Sequence, residues 1–162
     1  MNGNRRAPAE DADEIIPGVW IGRWEPALSP EWLGGHKIRA VFNCTKQIPF
    51  HSSVPYQFRI PVDDNLQPAE IKNMEAWAPE IAYKMLREYN AGHAMLIHCH
   101  AGMQRSTTAC AFFLMVLTGL PLIRVMMMIK EKRAIAFEPS PNFGTALRGF
   151  EQVVASQLNA RL

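Results

Sequence analysis

The chain has 162 residues, of which 48% are hydrophobic and 20% charged, with 17 Lys and Arg against 15 Asp and Glu. This balance is typical of a single globular domain that buries a core without disulfides or structural metals. The net charge of +2 is too small to indicate nucleic-acid binding, and no run reaches the ~20 apolar residues of a membrane-spanning helix.

The N-terminal segment, residues 1–14, is polar and contains no apolar run, so it does not match a secretory signal peptide. We expect it to be a disordered tail, with residues 15–162 as the one folded domain. The three cysteines are odd in number and widely spaced, which argues against a secreted disulfide framework: Cys44, Cys99 and Cys110. A reducing compartment is therefore expected, the cytoplasm first and the nucleus as a second candidate.

Strand and helix patterns alternate along the rest of the chain. Residues 15–21 predict an opening strand or hairpin with Pro17-Gly18 as a turn. Three further β-prone or apolar runs predict strands: residues 39–43, 56–62 and 94–98. Five segments predict helices: a short one capped by Ser29, a long one from Ile71 up to Gly92, then residues 106–117, 121–132 and 142–158. Pro79 either kinks the long helix or begins a second one. This order predicts an α/β domain with a small mixed sheet flanked by α-helices.

The loop between the last predicted strand and the central helix has the sequence HCHAGMQRS, residues 98–106. A strand–loop–helix junction directs several backbone N–H groups into one concavity at the helix N-terminus, which is an anion site. Arg105 lies in the first helical turn, where its planar side chain can hold two oxygens of a phosphate. Cys99 lies at the mouth of this site, where such donors lower a thiol pKa from about 8.5 to roughly 3.5–7.5. The loop therefore combines a phosphate site with an activated nucleophile.

This loop resembles the signature of cysteine-based protein tyrosine phosphatases, which is His-Cys, five residues, then Arg and Ser or Thr. Its Ala-Gly pair is similar to the loop of the dual-specificity branch. The run Val62-Asp63-Asp64-Asn65 resembles the general-acid loop of that branch, and Ser140-Pro141-Asn142-Phe143 resembles its C-terminal segment. The first strands are also similar, so the resemblance covers nearly all of the chain after residue 14 and implies a protein tyrosine phosphatase-like fold.

The resemblance implies a role for each residue of the loop. Cys99 would be the nucleophile, Arg105 would bind the phosphoryl group, and Ser106 would assist the departure of the thiolate. His98 would orient the loop from behind and tune the cysteine without transferring protons itself. The backbone amides that would hold the phosphate oxygens are those of His100, Ala101, Gly102, Met103, Gln104 and Arg105.

Two further assignments depend on positions outside the loop. Asp64 would be the general acid, which protonates the leaving oxygen and later activates water. Asp63 is the competitor, because adjacent residues of an extended loop point in opposite directions. Cys44 ends a strand that should lie parallel to and beside the strand leading to Cys99, which makes Cys44 a candidate redox partner. The opposing interpretation is that Cys44 is a buried core residue.

The function implied by the resemblance is hydrolysis of phosphotyrosine and phosphoserine or phosphothreonine in proteins through a phosphocysteine intermediate. Neither a metal nor another cofactor is implied, and a metal cluster of His93, His98, Cys99 and His100 lacks ligand pairs at zinc spacing. Relatives that act on phosphoinositides carry lysines within the loop, and those that act on RNA 5′-phosphates place Thr-His after the cysteine. Both stay open as alternatives, as does a phosphate-binding pseudophosphatase.

Overall fold

The computed structural model of the chain describes residues 6–160. Its strands are Ala12–Ile16 (β1), Val19–Gly22 (β2), Ile38–Asn43 (β3), Tyr56–Arg59 (β4) and Ala94–His98 (β5). They form one sheet in the order β1-β2-β5-β3-β4. β1 and β2 pair antiparallel, whereas β2, β5, β3 and β4 are parallel to their neighbours. The predicted α/β class with a small mixed sheet is therefore confirmed.

The helices are Trp24–Ala27 (α1), Pro30–Gly35 (α2), Pro68–Asn90 (α3), Arg105–Thr118 (α4), Leu122–Lys132 (α5) and Gly144–Ala160 (α6). The Ser29 hydroxyl accepts a hydrogen bond from the Trp32 N–H at 3.2 Å, so the predicted cap of α2 is confirmed. Pro79 lies inside α3, which is one helix of 23 residues and not two. The prediction missed α1, which is too short for hydrophobic periodicity to show.

Regular secondary structure begins nearer the N-terminus than the sequence predicts. Residues 1–5 of the expected tail lie outside the described residues. In the described part, Pro8–Glu10 forms a 3-10 turn and β1 already begins at Ala12, where the sequence analysis expected disorder. The carboxylates of Asp11 and Asp13 both pair with Arg133, about 120 positions away. Local composition cannot reveal this pairing, which explains why the predicted domain start at residue 15 is too late.

The core lies on both faces of the sheet. On one face, Phe42 and Ile97 pack under α3, α4, α5 and α6, and every residue of α4 from Ser106 to Met115 is buried. On the other face, Val41 and Leu96 pack against the smaller cluster around α2. β5 is thus covered on both faces, as a central parallel strand requires. Within residues 6–160 the helices lack the length or the apolar character that crossing a membrane demands.

This arrangement determines where the functional loop lies. β5 ends at His98 between its neighbours β2 and β3, and α4 begins at Arg105. The intervening residues 99–104 therefore lie at the carboxyl edge of the parallel strands, the position where open α/β sheets bind ligands.

Candidate active site

An open cleft of about 450 Å³ lies over the N-terminus of α4. It brings together three of the residues predicted to carry the chemistry, Asp64, Cys99 and Arg105, although Asp64 is 35 positions before the cysteine. The complete lining is Asp64, Cys99, His100, Ala101, Met103, Gln104, Arg105, Glu138 and Asn142. The backbone of residues 99–105, which we call the anion cup, forms its floor.

The Cys99 thiol lies within the anion cup and is only 3% exposed. Its Sγ lies 3.2 Å from the Ser106 Oγ and accepts a hydrogen bond from the Gly102 N–H at 3.3 Å. Burial raises the pKa of Cys99, but the Ser106 hydroxyl, the Arg105 charge and the N–H groups of Ser106 and Gly102 outweigh it. The net pKa of Cys99 is lowered, which favours the thiolate.

The other two cysteines show the opposite effect. Burial raises the pKa of Cys44 well above its ordinary value, and the nearby Cys99 adds to that rise. Burial alone also raises the pKa of Cys110. All three thiols are buried and free. The hydrogen-bond donors of the anion cup therefore distinguish Cys99 from two cysteines that are equally removed from solvent.

Four consecutive carbonyl groups of the anion cup are held from outside the cleft. The His100 oxygen accepts from the Trp24 N–H at 3.3 Å, and the Met103 oxygen accepts from the Phe137 N–H at 2.8 Å. Between them, the Ala101 and Gly102 oxygens accept from the Arg133 guanidinium at 3.2 and 2.7 Å. In a trans peptide the C=O and the following N–H point in opposite directions. The N–H groups that follow these carbonyls therefore face the cleft.

Arg105 connects the anion cup to the predicted acid loop. Its Nη1 donates to the Val62 carbonyl at 3.0 Å, directly before the Asp63-Asp64 pair. Its Nε is buried and has no partner among residues 6–160, and Arg105 itself lines the cleft. The guanidinium therefore has one donor bound to the acid loop and another without a partner in the described part of the chain.

The two adjacent aspartates point to different partners. Asp63 Oδ2 accepts from Lys46 Nζ at 2.8 Å, and its backbone N–H donates to the Glu70 carboxylate. Asp64 is exposed, lines the cleft and accepts a hydrogen bond from Asn142 Nδ2 at 2.9 Å through Oδ1. The structure thus places at the cleft the carboxylate that the resemblance favoured.

His98 lies behind the anion cup and does not line the cleft. Its Nδ1 lies 3.1 Å from the Cys99 carbonyl and donates to it. Burial lowers the pKa of His98 to about 4, so the ring is neutral near pH 7. This position agrees with the predicted orienting role of His98, because a ring outside the cleft cannot reach a ligand bound there.

The metal alternative finds no support in the described part of the chain. His93 Nδ1 lies 2.6 Å from Glu88 Oε2, and His98 donates through Nδ1 to the Cys99 carbonyl. Among residues 6–160 no three His, Cys, Asp or Glu side chains gather closely enough to hold an ion.

The side chain of Gln104 has a function that the sequence analysis missed, since only its backbone amide was assigned. Its Nε2 donates to the carbonyls of Glu138 and Ser140, both at 3.0 Å, and its Oε1 accepts from the Asn142 N–H at 2.9 Å. Gln104 therefore holds the segment that carries Asn142, the partner of Asp64. The resemblance of residues 140–143 was the only sequence signal for this segment.

Cys44 lies immediately after β3, and its N–H donates to the His98 carbonyl at 2.8 Å. Asn43 is opposite His98 in the β3–β5 register. Cys44 and Cys99 are therefore the first residues after two neighbouring strands, at the same edge of the sheet. The predicted parallel placement of the two strands is confirmed. A disulfide between the two cysteines stays a prediction.

Comparison with known proteins identifies one family over most of the chain. The family model described as dual specificity phosphatase, catalytic domain, matches residues 19–153. Human dual specificity protein phosphatase 1 is 31% identical over 151 residues, which are 91% of this chain and 39% of that protein. Chicken dual specificity protein phosphatase 4 is 30% identical over 147 residues, 88% of this chain and 37% of that protein. The chain thus spans about two fifths of the length of these curated relatives.

Solved structures show the same similarity over whole chains. The crystal structure of human DUSP28 matches with a TM-score of 0.79 at 25% identity, covering 93% of this chain and 97% of that one. The crystal structure of DUSP15 matches with a TM-score of 0.78 at 27% identity, covering 94% and 97%. The mixed sheet with its helices is therefore the fold of these phosphatase domains.

Proposed function

The chain belongs to the dual specificity phosphatase catalytic-domain family, and from this we propose that it hydrolyses phosphotyrosine and phosphoserine or phosphothreonine in proteins. The observation that carries the proposal is the position of Cys99 Sγ, which lies 3.2 Å from Ser106 Oγ and accepts from the Gly102 N–H in a cleft that Arg105 also lines. A thiolate surrounded by donors for an oxyanion is the arrangement that nucleophilic attack on phosphorus requires.

The first step forms an S–P bond from the Cys99 thiolate and breaks the ester P–O bond. Arg105 and the inward N–H groups of the anion cup hold the three non-bridging oxygens, where negative charge concentrates. Asp64 lines the same cleft and gives its proton to the departing oxygen, so that a neutral alcohol or phenol leaves. The products of this step are phosphocysteine and an Asp64 carboxylate.

The second step hydrolyses the phosphocysteine. The Asp64 carboxylate accepts a proton from water as the water oxygen attacks phosphorus, and the S–P bond breaks to release inorganic phosphate. The Ser106 hydroxyl, 3.2 Å from Sγ, donates to the sulfur as its charge returns. The same hydrogen bond that lowers the pKa of the free thiol therefore also makes Cys99 a better leaving group.

The charges around the cleft support a monophosphate ester as the substrate. Arg105 is the one Lys or Arg side chain among the residues that line the described cleft, whereas Asp64 and Glu138 contribute carboxylates. Inositol polyphosphates and RNA 5′-triphosphates carry several negative charges, and a site for them needs additional cations. A single phosphorylated side chain carries one phosphate dianion, which the guanidinium of Arg105 can bind without further cations.

The test is a substrate panel of phosphotyrosine and phosphothreonine peptides, short-chain phosphoinositides and 5′-triphosphate RNA, compared by kcat/KM. Both peptides should be hydrolysed, and phosphotyrosine faster, because a phenolate leaves more easily than an alkoxide. A preference for lipid or RNA substrates above about tenfold, or about 1.4 kcal/mol, would replace this proposal with one of the alternatives. A Cys99→Ser preparation purified in parallel excludes a contaminating phosphatase, and phosphate binding without any turnover would indicate a pseudophosphatase.

A further inference from the structure

Arg133 ends α5 and is only 1% exposed, an unusual degree of burial for an arginine. Its Nε and Nη2 donate to the Gly102 and Ala101 carbonyls at 2.7 and 3.2 Å. Its Nη1 donates to Asp11 at 2.9 Å and to Asp13 at 2.8 Å. One buried cation thus joins the anion cup to two carboxylates of the N-terminal segment.

The two carboxylates make this burial possible. A buried charge without a partner is strongly destabilising, whereas a paired charge with satisfied hydrogen bonds is tolerated. Asp11 and Asp13 lie on alternate positions around the start of β1 and direct their side chains to the same nitrogen. They hold the guanidinium in one orientation, with its other edge toward the loop.

The loop and the guanidinium also fit together sterically. Gly102 has a φ of +67°, and a Cβ added there would lie 2.6 Å from Arg133 Nη2 and 2.7 Å from the Gly22 carbonyl oxygen. The arginine therefore occupies the space in which any other residue would place a side chain. This contact explains both the glycine and its conformation.

The two carbonyls that Arg133 holds belong to the peptide units that supply the N–H groups of Gly102 and Met103. Since the C=O and N–H of a trans peptide are opposed, holding both oxygens behind the loop turns both hydrogens toward the cleft. The Gly102 N–H does reach Cys99 Sγ, at 3.3 Å. Rotation of either peptide would replace a donor by an acceptor beside the thiolate.

We propose that Arg133, held by Asp11 and Asp13, is a positioning residue that keeps the Gly102 and Met103 amides of the anion cup directed at the bound oxyanion. This inference rests on the proposed phosphoryl transfer at Cys99. It gives Asp11 and Asp13, which lie before the predicted start of the domain, a part in positioning the anion cup.

Two variants test the inference, one that disrupts the contacts of Arg133 strongly and one that disrupts them mildly. Arg133→Lys keeps the charge but replaces the planar fork with a point charge that cannot hold two carbonyls and two carboxylates at once. Asp13→Asn is milder, because Asp11 still compensates the guanidinium. The matched controls are Arg124→Lys on the exposed face of α5 and Glu10→Gln beside β1, since both side chains are exposed.

The main readout does not require turnover. Inorganic phosphate should protect Cys99 from alkylation by iodoacetamide, and the concentration for half-protection measures how well the anion cup binds an oxyanion. We expect this concentration to rise about tenfold or more in Arg133→Lys, and kcat on an aryl phosphate to fall by about 10²-fold, as for one lost oxyanion donor. The acidic limb of the kcat/KM profile should move to higher pH, because the Gly102 N–H no longer stabilises the thiolate. Asp13→Asn should change the same three quantities in the same direction but by less. The two control variants should leave all three at their wild-type values.

The outcomes separate positioning from a purely structural role. Both variants can melt at a lower temperature than wild type, so the two readouts are taken well below the melting temperature. If the half-protection concentration and the position of the acidic limb are then those of wild type, Arg133 only stabilises the fold and the inference is wrong. If Arg133→Lys does not fold, Asp13→Asn decides by the same two readouts. If wild type hydrolyses nothing while phosphate still protects Cys99, the proposed function fails, and the protection series alone decides the role of Arg133.

Discussion

The anion cup and the acid loop line the same cleft but are held in different ways. The carbonyls of residues 100–103 are all fixed from behind by Trp24, Arg133 and Phe137. Asp64 is exposed, and the hydrogen bond from Asn142 is the only one that its side chain makes within the described residues.

This difference has a physical consequence. A thiolate and an oxyanion need donors that are already oriented, because reorganising them during the reaction would cost much of their stabilisation. A general acid has to approach leaving groups of different sizes, and an exposed side chain with a single hydrogen bond, such as that of Asp64, can adjust. We therefore expect substitutions in the anion cup to affect every substrate, and substitutions in the acid loop to depend on the leaving group.

The largest effect should follow Cys99→Ser. A serine hydroxyl does not ionise near neutral pH, so no nucleophile remains and turnover should be abolished. The N–H groups and Arg105 are unchanged, so a phosphotyrosine peptide should still bind with comparable affinity in a calorimetric titration. Activity near that of wild type in the purified variant would exclude the cysteine mechanism.

Asp64→Asn should lower kcat by roughly the 10²–10⁴ typical of a lost general acid. The loss should be smaller for aryl phosphates with good leaving groups, which need little protonation. The matched control is Asp63→Asn, because the native Asp63 carboxylate pairs with Lys46. If Asp63→Asn gave this pattern and Asp64→Asn did not, the two assignments would have to be exchanged.

Asn142→Ala should have a smaller effect of the same kind. It removes one hydrogen bond at an exposed site, of about 1 kcal/mol, which holds the Asp64 side chain over the cleft, so kcat/KM should fall by roughly two- to tenfold. The loss should again shrink with a better leaving group, while phosphate protection of Cys99 stays at the wild-type value. A uniform loss for all leaving groups would mean that Asn142 acts on the anion cup and not on the acid.

Cys44→Ala should change the basal rate least and matter only after oxidation. Peroxide converts the Cys99 thiolate to a sulfenic acid with release of hydroxide, and attack by the Cys44 thiol would then form a disulfide and release water. Wild type should then yield a linked Cys44–Cys99 peptide by mass spectrometry and regain activity with reductant, whereas Cys44→Ala should recover poorly. The raised pKa of Cys44 opposes this reaction. Equal recovery of both proteins without a linked peptide would leave Cys44 as a packing residue.

A further contrast concerns what local sequence can predict. The strands β3, β4 and β5 and the long helices follow from short apolar runs and periodicity, and they lie within a few residues of the predicted segments, whereas β1 and β2 were predicted only as a strand or hairpin over residues 15–21. The contacts that hold the site join distant positions, such as Arg133 to Asp13 and Gln104 to the Glu138 carbonyl. No spacing rule relates such pairs, so the start of β1 and the function of the Gln104 side chain became visible only in three dimensions.

The central claim is that Cys99 carries the phosphoryl group between two chemical steps, and trapping that intermediate tests it most directly. Ser106→Ala removes the hydroxyl 3.2 Å from Sγ, so thiolate departure should become slow and phosphocysteine should accumulate during turnover of an aryl phosphate. We expect a rapid denaturing quench followed by peptide mass mapping to find phosphate on Cys99, at higher occupancy in Ser106→Ala than in wild type. Phosphate on another residue, or none on Cys99 while Ser106→Ala is turning over substrate, would contradict the account.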